Sequence, residues 1–426
     1  MGKKILHIGL FGLGTVGGGV VKLLSRMKNE NNKDYEFILD KVAVKHPKKR
    51  RSVAISPHLL TDNPQEILEN PKIDIVIEAI GGINQSKKII LQALRNGKNV
   101  ITANKALLAK EGELIFNEAI RNNCYLGIRA SNNAVYRLAE NLIFSPFKMK
   151  KLIGIFNGTS NYILTQMERK REDFSSALKK AQAIGYAEQN PSDDVDGYDT
   201  ANKLIVLIGL VFGYFIPAES LFIEGIRKIS YKDILFAKEL GYKIKLLAIA
   251  QRKGEELEVR VHPALLIRDK GIARLNGIEN GVEVRDEIGV EVGMQAPGAG
   301  KYPTAMAVLE DLVYIANGRK TSFPWQKKQL NLKDMNEIKT EYYLRFNVLD
   351  RVGVLAKISG ILGNHDISIN SVIQKGRGKG LNNAVSIIML THKAKERDIQ
   401  NSLREINNLP IVREKPLLIR VEEGIC

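Results

Sequence analysis

Residues 12–17 read Gly-Leu-Gly-Thr-Val-Gly, and no other stretch constrains the fold of this chain as tightly. A bare G-x-G-x-x-G is a weak signal, because glycine is common. Its flanks give it meaning here. Lys4 to Leu10 alternates little and is mostly apolar, as a buried strand should be. After the glycines, Val20, Val21, Leu23 and Leu24 recur on a helical period. A strand, a glycine turn and a helix in that order form the diphosphate-binding corner of a dinucleotide site. Gly12 permits the tight turn, Gly14 lets backbone approach a diphosphate, and Gly17 packs helix on strand, while Thr15 and Val16 open the helix whose N–H groups face the anion. An ordinary βα turn is the plain alternative.

Further strands at Leu39 to Val44, Ile73 to Ile80 and Asn99 to Thr102, with a helix from Ser86 to Asn96 between them, predict a parallel, doubly wound α/β sheet of Rossmann type. The second strand runs into Lys45-His46-Pro47-Lys48-Lys49-Arg50-Arg51. A site for NAD offers a carboxylate near here to hold the ribose hydroxyls. None is present, and Lys45, Arg50 and Arg51 suit a 2′-phosphate, so NADP is favoured over NAD. The plain alternative is a solvated basic loop.

From Lys151 the texture changes. Lys151 to Phe156 reads as a strand, followed by the polar turn Asn157-Gly158-Thr159. Glu188, Asp193, Asp194, Asp196 and Asp199 then crowd one loop, and Lys203 follows Asp199 by one helical turn, on the same face. The pair is either a surface ion pair or, since the following helix is almost wholly apolar, a buried lysine among carboxylates. The second arrangement suits proton transfer, carbonyl polarisation or capture of a substrate ammonium group. Lys105 follows the strand at Thr102, at the carboxyl edge of the sheet where ligands bind in such folds; otherwise it is a surface lysine. The C-terminal part reads independently as βαββαβ, a ferredoxin-like layout: an alternating strand at Tyr342 to Leu349, a helix at Val354 to Leu362, strands at Ile367 to Ile373 and Ala384 to Leu390, a helix near Ala394 to Ile406 and a strand at Leu417 to Val421.

Composition narrows the options. The net charge of +17 invites nucleic-acid binding. No zinc spacing, RNA-binding aromatic signature or basic helix accompanies it, so a solvated basic surface that steers anionic cofactors is preferred. No apolar run is long enough to span a bilayer and no cleavage pattern follows the N-terminus, so a cytoplasmic location is expected. Cys124 and Cys426 give no disulfide framework. Cys124 is expected in a buried strand. Cys426 is a frayed terminus or an intermolecular partner.

The chain resembles homoserine dehydrogenase carrying a C-terminal ACT domain. The resemblance rests on GLFGLGTVGGGVV at Gly9, EAIGG at Glu78, TANKALLA at Thr102, GIFNGTSNYILT at Gly154, AQAIGYAEQNPSDDVDGYDTANK at Ala181 and PGAGKYPTAMA at Pro297, with VLDRVGVLAKISGILGNHDISINSV at Val348 as the ACT-like stretch. It implies a Rossmann-type domain over 1–130, with the helix 304–316 packing back onto it. An α+β catalytic and dimerisation domain over 131–320, a linker over 321–338 and an ACT domain over 339–426 follow.

It also implies reversible interconversion of L-aspartate 4-semialdehyde and L-homoserine, on the route to threonine, methionine and isoleucine. Lys203 and Lys105 would be catalytic. Glu188, Asp194, Asp199, Tyr186, Gly185, Asn157, Gly158 and Thr159 would surround the substrate. Ile80, Gly81, Thr102, Lys105 and Gly300 would add cofactor contacts. The ACT domain would take a regulatory amino acid, threonine, near Asp350, Gly353, Val354, Leu355, Asn364 and Ile367, and the chain would form a homodimer or higher homo-oligomer.

One departure from the family pattern lies between Tyr125 and Asn133. Alignment on Glu140 puts Tyr125 where the family has glutamate and Asn133 where it has proline. The family's sodium site would lose its carboxylate there, which argues against bound sodium. Smaller departures are Ala296, Lys301 and Val352. The altered segment motivates a second reading, a non-catalytic regulatory protein that binds nucleotide and amino acid. Retention of Glu188, Asp194, Asp199, Lys105 and Lys203 together opposes it, because a buried charge cluster without a task is a pure desolvation cost.

Overall fold

The computed structural model describes residues 3–27, 34–51, 53–131, 147–297, 301–321, 330–375 and 384–425. They divide into two compact units. The first takes residues up to 146, with 202–218 and 298–328; the second takes 147–201, 219–297 and 329–426.

In the first unit, β1 (Lys4–Phe11), β2 (Tyr35–Ala43), β3 (Leu60–Thr61), β4 (Ile75–Glu78), β5 (Asn99–Thr102) and β6 (Leu126–Gly127) form one sheet in the order β3-β2-β1-β4-β5-β6. Each neighbouring pair is parallel. β2 begins four residues earlier than its apolar run suggests: Tyr35 and Phe37 pack ring against ring at a tilt, and the pairing extends back to Lys4. The order reverses between β1 and β4, which creates the crevice that such sheets use for ligands. One face is covered by the helices Thr15–Met27 and Lys301–Ala316, whose Val20, Leu24, Val308 and Leu312 share a core with Ile8, Leu10 and Ile77. Helices Asn84–Arg95 and Lys105–Arg121 bury Ile90, Leu94, Leu108 and Ile115. Cys124 is buried, but it sits in the turn before β6 rather than in a strand; its amide closes onto Ala119 O.

The second unit is built on one long mixed sheet. Its strands are β7 (Met149–Ile155), β8 (Phe222–Ile223), β9 (Tyr242–Lys253), β10 (Glu256–Ile267), β11 (Glu279–Asp286), β12 (Glu291–Pro297), β13 (Asn331–Leu332), β14 (Lys339–Leu349), β15 (Ile369–Gln374), β16 (Ala384–Thr391), β17 (Ala394–Lys395) and β18 (Val412–Val421). The main path runs β12-β11-β7-β9-β10-β18-β14-β16-β15, with β8 and β13 alongside β10 and β17 alongside β14. β14 to β18 with helices Val354–Asn364 and Glu396–Asn407 give the expected βαββαβ order, around a core that includes Leu344, Phe346, Ile358, Met389 and Leu403. The stretch before it is less loop-like than its polarity suggests. Leu330 and Ile338 are buried and bracket β13, which pairs in parallel with the start of β10.

β18 is the seam. It pairs with β14 through most of its length and with β10 at Ala264 and Leu265. Buried ions flank it. Arg420 donates to both oxygens of Glu396, from Nε at 2.9 Å and Nη2 at 2.5 Å. Arg260 is held by Glu422, at 2.8 Å from Nη2, and by Glu258 at 3.1 Å. His262 is wholly buried between them; burial, with Arg420 and Arg260 nearby, holds its imidazole well below its usual pKa and so neutral. Removing one member of such a pair strands the other in low dielectric. Glu396→Ala is therefore expected to lower unfolding free energy by about 3–5 kcal/mol in urea titrations of the full chain. A loss under about 1 kcal/mol would mean that Arg420 reaches water.

Candidate functional site

The dinucleotide corner in the first unit is built by three glycines with different tasks. Gly12 has φ of +92°, and a Cβ there would lie 2.5 Å from Ala79 O. A Cβ on Gly17 would come within 2.1 Å of Gly12 O. Gly14 is exposed and faces open space, with nothing within 4 Å of an added Cβ. Thr15 is exposed and Val16 half-buried at the start of the helix Thr15–Met27, which has no acidic residue in its first turn. A diphosphate fits this corner: room at Gly14, helix N–H groups and no competing carboxylate.

Across the sheet switch, Ile80 is 36% exposed and Gly81 has φ of +70°. Their amides donate to Glu78 Oε1 at 2.9 and 3.2 Å. Glu78 also receives Ser86 Oγ at 3.0 Å and Thr102 Oγ1 at 2.6 Å. Thr102 is fully buried and its hydroxyl is committed inside the fold. Glu78 therefore shapes the 79–82 turn, a task that sequence reading did not give it. The available signal was a carboxylate ending an otherwise apolar strand. Lys105 is half-buried at the first position of its helix, just after the cap Asn104. Gly300 lies outside the described residues.

The basic loop after β2 borders a cavity of about 430 Å³ lined by Pro47, Lys48, Lys49, Arg51, Ile55 and neighbours. Lys45 and Arg50 are exposed. Arg51 donates from Nη2 to His46 O at 2.8 Å, and its buried Nε has no hydrogen-bond partner among the described residues.

The departure at Tyr125 has a physical account. Tyr125 is buried and its hydroxyl donates to Asp311 Oδ1 at 3.0 Å. Arg129, also buried, donates to the same oxygen from Nε at 3.0 Å and lies 3.9 Å over the Tyr314 ring. Gly127 leaves room for the aspartate, since a Cβ there would come within 2.6 Å of the Asp311 carboxyl carbon. Tyr125 and Arg129 thus close on one buried carboxylate. Asn132, Asn133 and Ala134 lie outside the described residues. The side chains of Ala296 and Lys301 do as well. Val352 is fully exposed on its turn.

In the second unit, Asn157 lies two residues beyond β7 and caps the helix Gly158–Lys170, accepting from Ser160 N at 2.8 Å. Its Nδ2 donates to Asp194 Oδ1 at 2.7 Å and to Asp199 Oδ2 at 3.0 Å. Two carboxylates five residues apart are thereby gathered on one neutral amide. Thr159 Oγ1 donates to Tyr186 O at 2.8 Å, and Tyr186, half-exposed beside Gly185 (φ +78°), stacks edge-on against Tyr162. Glu188 and Asp193 are exposed. Asp199 is buried on the helix Tyr198–Phe212; Lys203 follows it by one turn on the same helix, belongs to the first unit and is 8% exposed.

Gly158 is pinned from below: a Cβ would lie 2.9 Å from Ile278 O. Lys245 braces that floor. It is 1% exposed and donates to Asn161 Oδ1 at 2.7 Å and to Leu275 O. Burial drives its pKa down to about 7, with Lys243 adding to the effect.

Of the regulatory residues, Gly353, Leu355 and Asn364 are exposed, Asp350 is half-buried, and Val354 and Ile367 point into the core.

The comparisons with known proteins are decisive here. Residues 12–128 match the NAD binding domain of homoserine dehydrogenase, 135–313 match the homoserine dehydrogenase model and 342–411 match the ACT domain. The chain belongs to the homoserine dehydrogenase family. It is 38% identical to the enzyme of Helicobacter pylori, over 99% of this chain and all of the relative. It is 35% identical to that of Bacillus subtilis, over 98% and 99%. The crystal structure of a homoserine dehydrogenase from Thiobacillus denitrificans superimposes with a TM-score of 0.90 at 37% identity, covering 99% of each chain. These full-length likenesses do not favour the non-catalytic reading. No helix among the described residues is long and apolar enough to cross a membrane.

Lys245 yields a test of the brace. A lysine neutral above about pH 7 in the fold and above 10.5 when unfolded leaves the unfolded state with more protons between those values, so stability rises with pH across that window. Lys245→Met is expected to flatten the rise in urea unfolding between pH 7 and 10. An unaltered slope would show that the ammonium is accommodated in the fold.

Proposed function

We propose that this oxidoreductase interconverts L-aspartate 4-semialdehyde and L-homoserine with NADP, and that Lys203 and Lys105 are its catalytic lysines. The pairing of Asp194 and Asp199 on Asn157 carries the reading, since the substrate is an amino acid whose ammonium needs anionic partners. The NADP preference is supported by Lys48, Lys49 and Arg51 lining the cavity after β2, and by the absence of a carboxylate in the sequence that follows β2.

Residues 1–130 serve as the cofactor domain, 131–320 as the substrate domain and 339–426 as the regulatory domain, joined by 321–338, in a cytoplasmic homo-oligomer. When bound, the nicotinamide supplies or accepts the hydride. Gly12, Gly14, Thr15, Val16 and Gly17 hold the diphosphate, Ile80, Gly81 and Gly300 border the cofactor, Thr102 supports that turn from inside through Glu78, and Lys45, Arg50 and Arg51 hold the 2′-phosphate. Asp194, Asp199 and Glu188 take the substrate ammonium. Gly158, Thr159, Gly185 and Tyr186 line the substrate. Lys203 donates a proton to the aldehyde oxygen as the carbonyl carbon gains hydride, and takes it back in the reverse direction. Lys105 serves the substrate carboxylate or the transferring proton. The half-buried Asp350 and the exposed Gly353, Leu355 and Asn364 hold threonine as effector, with Val354 and Ile367 shaping the turn from inside.

Purified protein mixed with NADPH and aspartate semialdehyde is expected to consume NADPH; retained NADPH binding without turnover would defeat the enzyme reading. Lys203→Ala should lower kcat by about 100-fold or more while leaving NADPH affinity unchanged. Equal losses in both would argue against a proton-transfer role. Replacing Arg50 and Arg51 by alanine should narrow the preference for NADPH over NADH, and an unchanged ratio would assign the loop to the surface alone.

A further inference from the structure

The turn that carries Asp194 is held from behind by a segment with no part in the chemistry described so far. β8 adds in parallel to β10 at Arg260 and Val261, and Glu224 N donates to Val261 O at 2.8 Å. The chain then leaves β10. Ile226 N donates to Val195 O at 2.8 Å. Between them Gly225 lies directly on the backbone of Val195 and Asp196: an added Cβ would fall 2.2 Å from Val195 O and 2.4 Å from Asp196 Cα. Arg227 closes the grip. Its Nε and Nη2 donate to the two oxygens of Asp196 at 2.5 and 3.0 Å, and Nη2 also reaches Ser192 Oγ at 3.2 Å. Ser192 and Asp196 stand two residues to either side of Asp194.

The same segment is anchored at its other end. Glu224 accepts from Arg420 Nη1 at 3.0 Å. Arg420 is 1% exposed, lies 4.7 Å over the Phe222 ring and is clamped by Glu396. Glu396 lies among the residues that match the ACT domain, and Arg420 is on β18, which pairs with that domain's first strand, β14. Four residues therefore link the regulatory domain's most buried charge to the turn that presents Asp194. The Arg227–Asp196 pair is 43% and 31% exposed, so it adds little to stability. Its planar fork instead fixes direction and distance.

We propose that Arg227 is a positioning residue for Asp194, and that the Glu224–Arg420 contact sets the seat of that grip, so that the ACT domain tunes affinity for the substrate's ammonium group. The proposal rests on the assignment of Asp194 to that group. A shift of Arg420 moves Glu224, and the glycine contact passes the movement to Val195 and Asp196 without side-chain slack.

The test uses the full-length enzyme, with Arg227→Met, Arg227→Lys and Glu224→Gln. Arg227→Met should raise KM for aspartate semialdehyde about tenfold, with KM for NADPH and the melting temperature unchanged. Arg227→Lys should recover part of the loss, since a point charge replaces one arm of the fork. Glu224→Gln should raise the same KM and speed amide hydrogen exchange in residues 192–199. With a chain-length-matched aldehyde acid lacking the amine, Arg227→Met should match the parent enzyme. An unchanged KM for the semialdehyde, or an equal effect on the amine-free aldehyde, would overturn the positioning role while leaving the dehydrogenase assignment intact. A parent enzyme with no turnover would overturn both.

Discussion

A single strand pairs with both halves of the second unit's sheet. β18 meets β10 in parallel at only two positions and β14 in antiparallel fashion over most of its length. Backbone pairing over two residues specifies little by itself. Specificity comes from the side chains at the seam, where Arg420, Glu396, Arg260, Glu422 and Glu258 are buried together. Such charges tolerate burial only with every partner in place, so a shifted register would strand several at once. The rest of the unit follows from this. β8 is held beside β10, Phe222 lies under Arg420, and the segment beyond it is fixed against the acidic turn.

Periodicity made most of the fold legible. The glycine turn, the apolar strands after it and the final βαββαβ order all depend on short-range patterns, and each appears as read. The misses have two causes. Cys124 looked like a strand residue because Tyr125 and Leu126 follow it, but Asn123 at φ of +51° turns the chain there. Residues 331 and 332 looked like linker because their neighbours are polar, while their pairing depends on β10, far away in sequence. Long-range partners carry no local signature.

The candidate site was legible in a similar, uneven way. The crowding of Asp194, Asp199 and Lys203 in one stretch was visible. The amide that gathers the two carboxylates lies some forty residues upstream, and sequence alone does not reveal that it joins them. Glu78, Asp311 and Lys245 went unnoticed for the same reason: the partners of each come from other elements. The odd Tyr125 and Arg129 make sense only beside Asp311, which lies on the helix Lys301–Ala316. A departure that looked like damage in one dimension is a mutually satisfied trio in three.

Asn157 does two jobs with two different atoms. Its oxygen caps a helix and its nitrogen holds the carboxylates. Serine, threonine or aspartate would start that helix about as well. Aspartate would bring a third negative charge against the other two. A hydroxyl must accept and donate through the same oxygen, and it is too short to bridge a pair. Among ordinary capping residues, only asparagine accepts at one end of its side chain and donates twice at the other. The start of a helix and the geometry of the acidic pair are therefore one structural decision, and a substitution here cannot alter one without unsettling the other.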